Sequence, residues 1–526
     1  MKFSLFKPGA ANLKALTPTR LAIASGSFLF LSFPGFSLGF LAWGALLPLL
    51  FALRRAPSRG SAALLGLITG LVFFLISIHW MTHVTTFGWI FLGFLEAVFL
   101  VLFSLAVYEG RHLSGVLRAG WIALAWVSCE FLRAEIPVFG LGWNLLAYSQ
   151  APYPVILQAA NAVGAYGLGA FIAFANGLLE EMLSSGRSPS VADEGKTKVL
   201  KRFLSPVVFL AVSIGLLLGH GFYHLRGVEL SEARLRISVI QGNIPQDIKW
   251  AGEAREKILS IHSKLSELAS FDGPELIVWP EASFPGYFNR DLERHRILEQ
   301  VKRLGIPFLI GSPHLESPEQ AFNSAYLINA DGVLAKRYDK QYLVPFGEYV
   351  PLKLVFKWLE PLAYSLGVSD FSRGYEPTVF DLVNGEIRFS TLICFEDVFP
   401  NLARHFVERG ADFLTVITND AWFAKTAAPH QHLQASIFRA VENGVSVVRS
   451  ANTGVSAFIS PRGIVTARVE NAKGEPLFVT GHRTEEVDVR PRPTLYRRGG
   501  WFFPYAASAV FVMILVVQKI RDRQKK

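Results

Sequence analysis

The chain has 526 residues, enough for about two to four domains, and 51% of them are hydrophobic while only 18% are charged. Soluble domains carry about 25% charged residues, so this composition excludes an ordinary soluble protein and indicates a membrane-embedded part. The formal net charge is +10, but residues 226–498 hold 32 Lys and Arg against 33 Asp and Glu, which leaves +11 on the remainder. This excess lies with the hydrophobic segments, which indicates membrane topology and argues against a nucleic-acid partner.

Apolar runs before residue 220 and near the C-terminus predict eight membrane spans. The runs are Leu21–Phe33, Phe40–Leu53, Ala62–Ile78, Phe87–Tyr108, Ala119–Leu132, Val163–Leu179, Phe203–Leu218 and Trp501–Val517. Several are near the short limit of about 17 to 25 residues for a span. Glu96 and Glu130 lie inside these runs, which indicates either function or pairing with another span.

The connections between these runs alternate between basic and nearly neutral. Arg54, Arg55 and Arg59 occupy one connection, Arg111 and Arg118 another, and the tail after the last run carries five basic residues. Because basic loops stay in the cytoplasm, the alternation predicts cytoplasmic termini and an extracytoplasmic polar domain. We therefore divide the chain into a seven-span membrane domain (1–224), an extracytoplasmic polar domain (225–498), and a last span with a basic tail (499–526).

From residue 235 onward, short apolar strands alternate with amphipathic helices, which predicts an α/β domain with its own core. The predicted strands are Arg236–Gln241, Leu276–Trp279, Pro307–Ile310, Ser324–Ile328, Ile387–Cys394, Phe413–Thr418 and Val445–Ser450. The predicted helices are Glu253–Leu268, Asp291–Leu304, Leu402–Arg409 and Gln431–Glu442. His430 and His432 are two residues apart and do not share a helix face, so we predict no metal site.

Three polar residues lie at strand ends or in turns rich in Pro and Gly. Glu281 follows the buried stretch LIVWP, Lys340 lies in YDKQYLVPFGEYVP together with Glu348, and Cys394 lies in FSTLICFEDVFP. Taken singly, a cysteine of this kind is often a buried structural residue, and an acid after a strand is often a cap. The other cysteine, Cys129, lies in an apolar run, so we do not expect a disulfide.

Taken together, a carboxylate, an ammonium and a thiol supply the roles that acyl transfer needs. The unperturbed pKa values of Glu and Cys differ by about 4 units, which opposes proton transfer from the thiol. Burial raises the proton affinity of a carboxylate, and a nearby ammonium favours the thiolate and stabilises the oxyanion of the intermediate. Glu281, Lys340 and Cys394 therefore form a coherent catalytic set.

The motifs around these residues carry a resemblance to a known family. WPEAS with Glu281, the stretch with Lys340, and ICFED with Cys394 resemble, in this order, the Glu-Lys-Cys triad of the nitrilase (carbon-nitrogen hydrolase) superfamily. The flanking spans and the stretches IPQDIKW, LVPFGEYVP and NDAWF narrow the resemblance to the apolipoprotein N-acyltransferase family. The resemblance covers nearly the whole chain. It implies a nitrilase-like αββα sandwich on an eight-span α-helical base in a bacterial inner membrane, with the catalytic domain in the periplasm.

The resemblance also implies a reaction and its partners. Members transfer an acyl chain from a phospholipid, typically phosphatidylethanolamine, through a cysteine thioester to the N-terminal S-diacylglyceryl-cysteine of apolipoproteins. We expect no cofactor, no metal and a monomer. Glu281 is then the proton acceptor, Lys340 the electrostatic stabiliser and Cys394 the nucleophile. The supporting positions that match are Glu348, Glu396, Asn323, Trp250 and Trp422, and Phe395 stands where some members have Tyr.

Two other functions remain open on the residues alone. One is a membrane-tethered amidase or nitrilase that acts on a soluble substrate, and the other is a transporter or lipid-binding protein whose outer domain captures a ligand. The aromatic segments Leu354–Leu366 and Trp422–Phe423 are either lids that admit acyl chains or parts of the core.

Overall fold

The computed structural model of the chain describes residues 17–136, 138–185, 196–226, 233–249, 252–350, 370–382 and 385–524. The chain forms two compact units. The first, the helical unit, holds residues up to Glu130, Gly169–Ile214 and the residues from Ala506 onward. The second, the sheet unit, holds Phe131–Leu168 and Gly215–Tyr505. The predicted domain bounds stay predictions.

Helices dominate the first half of the chain and return at its end. They are α1 (Pro18–Leu31), α2 (Leu47–Arg54), α3 (Arg59–Ser77), α4 (Thr86–Glu109), α5 (Gly115–Glu135), α6 (Pro154–Leu157), α7 (Ala160–Ser185), α8 (Lys196–Arg226), α9 (Arg255–Ser270), α10 (Arg294–Leu304), α11 (Pro400–Glu408), α12 (Ala428–Asn443), α13 (Leu495–Arg498) and α14 (Phe503–Gln524).

In the described part of the chain, six helical segments are long and apolar enough to cross a membrane. They are Arg59–Ser77, Thr86–His112, Gly115–Glu135, Ala160–Ser184, Leu204–Arg226 and Gly500–Gln524. The first two predicted runs coincide with shorter helices: α1 has 14 residues, and Gly39–Arg54 consists of a 3₁₀ turn followed by α2. The prediction of a polytopic α-helical membrane protein is confirmed, whereas the count of eight spans stays a prediction.

Small residues let neighbouring helices of the helical unit approach closely. A Cβ atom at Gly70 of α3 would lie 2.7 Å from the Cα of Ala97 of α4, so only glycine fits at this contact. The same unit pairs its buried carboxylates: the buried Arg118 donates to Glu180 over 2.9 Å, and the exposed Arg54 contacts both Glu180 and Glu181. Pairing removes the cost of an isolated buried charge.

The sheet unit contains two six-stranded sheets. The strands are β1 (Arg234–Gln241), β2 (Leu276–Val278), β3 (Phe308–Ser317), β4 (Gln320–Ile328), β5 (Leu334–Asp339), β6 (Phe380–Leu382), β7 (Ile387–Ile393), β8 (Phe413–Thr418), β9 (Val447–Ala451), β10 (Ala457–Ile459), β11 (Val465–Arg468) and β12 (Gly481–Asp488). Their orders are β12-β1-β2-β3-β4-β5 and β11-β10-β9-β8-β7-β6.

Helices and sheets share buried apolar side chains, as the predicted αββα sandwich requires. Leu259 of α9 and Ile297 of α10 pack with Trp279 and other buried residues of the first sheet. The two sheets are joined by Ser450 of β9, whose hydroxyl donates to the carbonyl oxygens of Ile240 and Val278. This arrangement confirms the predicted fold of the catalytic part.

The parallel strands explain why distant parts of the sequence meet. In the first sheet, β1, β2 and β3 run parallel to one another, and β4 runs antiparallel to β3. In the second sheet, β7, β8 and β9 run parallel to one another. Polar residues follow soon after the ends of β2, β7 and β8, namely Glu281, Cys394 and Asn419. Because the carboxyl ends of parallel strands meet at one edge of a sheet, Cys394 and Asn419 lie close together. The backbone N–H of Asn419 donates to Glu281, which brings the strand end of the other sheet to the same place.

Candidate active site

Cys394 is the first residue after β7 and begins a 3₁₀ turn, Cys394–Val398. Its φ angle is +52°, a left-handed conformation that non-glycine residues rarely adopt and that costs on the order of 1–3 kcal/mol. The side chain is partly exposed, while Ile393 and Phe395 on either side are buried. The turn therefore presents the sulfur at the strand end, as the sequence predicts.

Glu281 lies two residues beyond Trp279 and accepts three hydrogen bonds through its carboxylate. Oε1 accepts from Asn323 Nδ2 over 2.8 Å and from Lys340 Nζ over 3.4 Å. Oε2 accepts from the backbone N–H of Asn419 over 2.8 Å. The carboxylate is thus held by three separate segments of the chain and is almost fully buried.

Lys340 follows β5 directly and places its ammonium between two carboxylates. Nζ lies 3.4 Å from Glu281 and 2.9 Å from Glu348. The Asn323 amide donates to both acids over 2.8 Å, which fixes their spacing. Burial lowers the pKa of Lys340, but Glu348 and Glu281 outweigh it and raise the pKa overall. Lys340 therefore keeps its charge at any working pH.

The thiol of Cys394 is harder to deprotonate than a free cysteine. Burial raises its pKa, Glu281 raises it further, and Lys340 lowers it without reversing the outcome. The charge of Lys340 is shared with two carboxylates, so the resting residue is a thiol that needs a base when it reacts.

Glu396 ties the Cys394 turn to the segment that follows Lys340. Oε1 accepts from Tyr338 Oη over 2.8 Å and from the backbone N–H groups of Gln341 and Tyr342 over 2.6 and 3.1 Å. Oε2 accepts from the N–H of Ile393 over 2.8 Å. Burial raises the pKa of Glu396 to about 7, against the opposing effect of these donors and Lys340.

The remaining predicted site residues differ in their surroundings. Phe395 is 8% exposed and its ring meets that of Phe399 edge-on at 5.1 Å. Trp422 is 41% exposed in the turn Asp420–Phe423, which follows β8. Trp250 and the segment Leu354–Leu366 lie outside the described residues.

Lys249 is a site residue that the sequence reasoning missed. It is 1% exposed, and its Nζ donates to the backbone carbonyl of Glu281 over 3.1 Å. Burial lowers the pKa of Lys249 to about 8, although Glu281 and Cys394 act to raise it. The sequence signal that could have identified Lys249 is its position inside IPQDIKW, one of the stretches on which the family resemblance rests.

A second missed group is a buried cluster behind Cys394, formed by Asp397, Asp420, His432, Ser436 and Arg449. His432 and Ser436 are four residues apart on α12 and share one face. His432 Nε2 donates to the Cys394 carbonyl over 3.2 Å and lies 2.9 Å from Asp397, while Nδ1 lies 3.0 Å from Asp420. Ser436 and Arg449 Nη1 donate to Asp397.

Charge balance favours a protonated His432 in this cluster. Arg449 lies 3.0 Å from Asp397 and 3.2 Å from Asp420, and its Nη2 is 2.8 Å from His432 Nδ1. Two carboxylates against one guanidinium leave one negative charge, which the imidazolium neutralises. Burial and Arg449 lower the pKa of His432, but Asp397 and Asp420 outweigh them and raise it to about 9.

The contacts of His432 are all with the protein. Both ring nitrogens of His432 already have protein partners. Among the residues that the structure describes, His, Cys, Asp and Glu form no group of three or more that could hold a metal ion.

Comparison of the sequence with known proteins assigns the chain to a family. The profile for carbon-nitrogen hydrolase matches residues 236–480, and that for the apolipoprotein N-acyltransferase N-terminal domain matches residues 25–178. An apolipoprotein N-acyltransferase of Geobacter metallireducens is 36% identical over 510 residues, covering 93% of each chain. The chain belongs to the apolipoprotein N-acyltransferase family.

A second relative has the same name. An apolipoprotein N-acyltransferase of Chlorobaculum tepidum is 28% identical over 98% of this chain and 99% of its own. A solved structure, an amidase from Nesterenkonia sp., aligns with a TM-score of 0.37 and 22% identity over 52% of this chain and 95% of that chain. Membership in the apolipoprotein N-acyltransferase family identifies the chain as an N-acyltransferase and as a multi-pass membrane protein.

Proposed function

We propose that the protein transfers an acyl chain from a phospholipid, through a thioester on Cys394, to the α-amine of the S-diacylglyceryl-cysteine of apolipoproteins. The observation that carries the proposal is the ion pair of Glu281 and Lys340 beside the Cys394 turn, which Glu396 links to the residues after Lys340. The two side chains are 3.4 Å apart, and both act on the pKa of the Cys394 thiol. The names of the relatives give the acceptor class.

The first stage forms the thioester. Glu281 takes the proton of the thiol as the sulfur attacks the ester carbonyl of the phospholipid. Lys340 and the backbone N–H of Phe395 stabilise the oxyanion of the tetrahedral intermediate. The intermediate then expels the alkoxide of the lysophospholipid, which takes its proton from Glu281.

The second stage transfers the acyl chain. The α-amine of the lipoprotein attacks the thioester carbonyl in its neutral form, which is accessible because an α-amine has a pKa near ~8. Glu281 accepts the proton that the attacking nitrogen loses and returns it to the departing sulfur. The products are an amide and the original thiol, so the enzyme follows a ping-pong cycle.

The other residues hold or frame this set. Asn323 and Glu348 fix Glu281 and Lys340 through the hydrogen bonds given above, and Glu396 fixes the Cys394 turn. Trp250 and Trp422 contact the substrates in this proposal. Exclusion of water from the thioester is essential, since hydrolysis would otherwise consume the intermediate.

We propose a matching cellular setting. The alternation of basic loops supports cytoplasmic termini and a periplasmic catalytic domain in a bacterial inner membrane. Phosphatidylethanolamine is the proposed donor, and the protein acts as a monomer.

The test is the intact mass of the purified protein after incubation with phosphatidylethanolamine in detergent. We expect one acyl adduct, which is absent in Cys394→Ala and present in Cys129→Ala, the matched control that removes the only other cysteine. Addition of a synthetic diacylglyceryl-cysteine peptide should discharge the adduct and yield the N-acylated peptide.

Other outcomes would favour the alternatives. An adduct formed by a water-soluble amide but not by phospholipid would identify an amidase or nitrilase. Acylation of the peptide at the wild-type rate by Cys394→Ala would show that this residue carries no acyl chain. Binding of lipid without any covalent adduct would favour a lipid-binding protein.

A further inference from the structure

Thr418 is the last residue of β8 and lies beside the nucleophile. Strands β7 and β8 are parallel, and Ile393 is paired with Ile417. Cys394 and Thr418 are the residues that follow this pair, so they are neighbours. Thr418 is fully buried. Its hydroxyl donates to Asp420 Oδ1 over 3.1 Å. Burial raises the pKa of the neighbouring Cys394 thiol, and Thr418 acts to lower it.

One hydroxyl proton cannot serve both neighbours at once. A threonine hydroxyl has one donor and two acceptor lone pairs. When Cys394 is a thiol, the S–H group can donate to the hydroxyl oxygen while Thr418 donates to Asp420. When the sulfur becomes anionic it can only accept, and the hydroxyl proton is then best placed on the sulfur.

Asp420 tolerates the loss of that donor because other groups hold it. His432 Nδ1 lies 3.0 Å from Oδ1, and Arg449 Nη2 lies 3.2 Å from Oδ2. Burial raises and these two cations lower the pKa of Asp420, and the net pKa is low. The carboxylate therefore stays ionised and hydrogen-bonded whichever way the hydroxyl points.

We propose that Thr418 is a catalytic residue that turns its hydroxyl proton from Asp420 to the sulfur of Cys394 whenever negative charge develops there. No proton leaves Thr418, since the thiol proton passes to Glu281 and only the O–H bond rotates. In the first stage the rotation stabilises the attacking sulfur. In the second stage it stabilises the departing sulfur. The inference rests on the proposed role of Cys394 as the acyl carrier.

The charged neighbours of the sulfur explain why a neutral donor matters. Glu281 and Asp420 raise the pKa of Cys394, and Lys340 lowers it while paired with two carboxylates. Lys249 also interacts with Cys394. Hydrogen bonds to charged groups contribute about 1.5–3 kcal/mol, which corresponds to roughly 10- to 100-fold in the thiolate population.

The test measures the alkylation rate of Cys394 by iodoacetamide from pH 7 to 10 by intact mass. Cys394→Ala supplies the background, including any reaction at Cys129. In Thr418→Val, which keeps the shape and removes the hydroxyl, we expect the profile to move to higher pH by one unit or more. Thioester formation from phosphatidylethanolamine should fall at least 10-fold, and Thr418→Ser should restore both.

A matched control is Thr415→Val on the same strand, where a buried hydroxyl donates to Thr391 over 2.7 Å. We expect this variant to alkylate like the wild type. Comparison of Thr418→Ala with Thr418→Ser, which differ by the hydroxyl alone, repeats the test should the valine variant not fold.

An unchanged alkylation profile in Thr418→Val would overturn the inference, as would equal slowing in Thr415→Val. These readouts need no acyl donor. They therefore test the role of Thr418 separately from the proposed function. The proposed function is contradicted if Cys394→Ala still forms an acyl adduct.

Discussion

Two buried lysines contact the same glutamate, and their partners give them different chemistry. Lys340 contacts two carboxylates, and its pKa is raised. Lys249 donates to the backbone carbonyl of Glu281, and burial lowers its pKa to about 8. Lys340 is therefore a permanent charge, whereas Lys249 changes charge close to neutral pH.

Replacement of Lys249 by methionine should slow thioester formation by roughly 10-fold at pH 7, because a cation near the sulfur is lost. The ratio of wild-type to variant rates should fall as the pH rises through about 8, since the wild-type lysine then loses its own charge. Single-turnover acylation by phosphatidylethanolamine between pH 6.5 and 9.5 measures this ratio.

Lys264→Met provides the control for this prediction, because Lys264 is exposed on α9. It should match the wild type at every pH. A ratio for Lys249→Met that stays constant across the pH range would show that the lysine acts by packing and not by charge.

At the level of elements, the site depends on a junction between the Cys394 turn and the segment after β5. Glu396 forms that junction with four hydrogen bonds, three of which come from Tyr338, Gln341 and Tyr342. The fourth comes from Ile393, immediately before Cys394. One buried carboxylate therefore links the residues that flank Lys340 to the residue that precedes Cys394.

Glu396→Gln should weaken this junction. Both oxygens of Glu396 accept hydrogen bonds, and the glutamine amide replaces one of these oxygens by an NH₂ donor that would face a backbone N–H donor. A buried donor left unpaired costs roughly 1–3 kcal/mol of unfolding free energy. We expect a lower thermal midpoint and at least 10-fold slower alkylation of Cys394, both measured on the detergent-purified protein.

Glu408→Gln is the comparison variant, since Glu408 is 38% exposed and pairs with Arg404 four residues earlier on α11. Pairs of this kind contribute about 0.3–0.5 kcal/mol, so its effect should be small. Equal effects of the two variants would contradict the role assigned to Glu396.

The sequence predicted the central strands well because they are buried on both faces. The prediction Phe413–Thr418 coincides with β8, and Ile387–Cys394 exceeds β7 by one residue. Strands β5 and β12, by contrast, lack an apolar pattern, because β5 is largely exposed and β12 lies at a sheet edge. Edge strands of this kind are held by backbone pairing, which leaves little trace in the side chains.

Glu281, Lys340 and Cys394 were predictable because each lies in a motif with suitable chemistry, whereas His432 and Arg449 of the buried cluster lie in no such motif. Glu281 follows a predicted strand and Lys340 lies in a predicted turn rich in Pro and Gly, and the structure brings them together. The link between Asp397 and Arg449 joins residues 52 positions apart on different elements. No spacing rule gives such a pair, and His432 was considered only as a metal ligand.

On the scale of the whole molecule, the stability of the sheet unit should depend on pH through buried groups that act in opposite directions. The pKa of His432 is raised from 6.5 to about 9, so its contribution is complete below pH 6.5 and is lost as the pH rises through 9. The pKa of Lys249 is lowered to about 8, so its burial penalty is relieved above that pH. Only a variant can separate these effects.

His432→Gln should isolate the contribution of the imidazolium. The difference in unfolding free energy between the wild type and the variant should be largest below pH 6.5. This excess should shrink by on the order of 3 kcal/mol between pH 6.5 and 9. Thermal midpoints of both proteins across this range, with the exposed His295→Gln as control, measure the difference. An excess that is independent of pH would mean that His432 is neutral and that the charge of Asp397 and Asp420 is balanced in another way. A shrinking excess would tie the conformation of the Cys394 turn, through the hydrogen bond from His432 to its carbonyl, to the protonation of one buried imidazole.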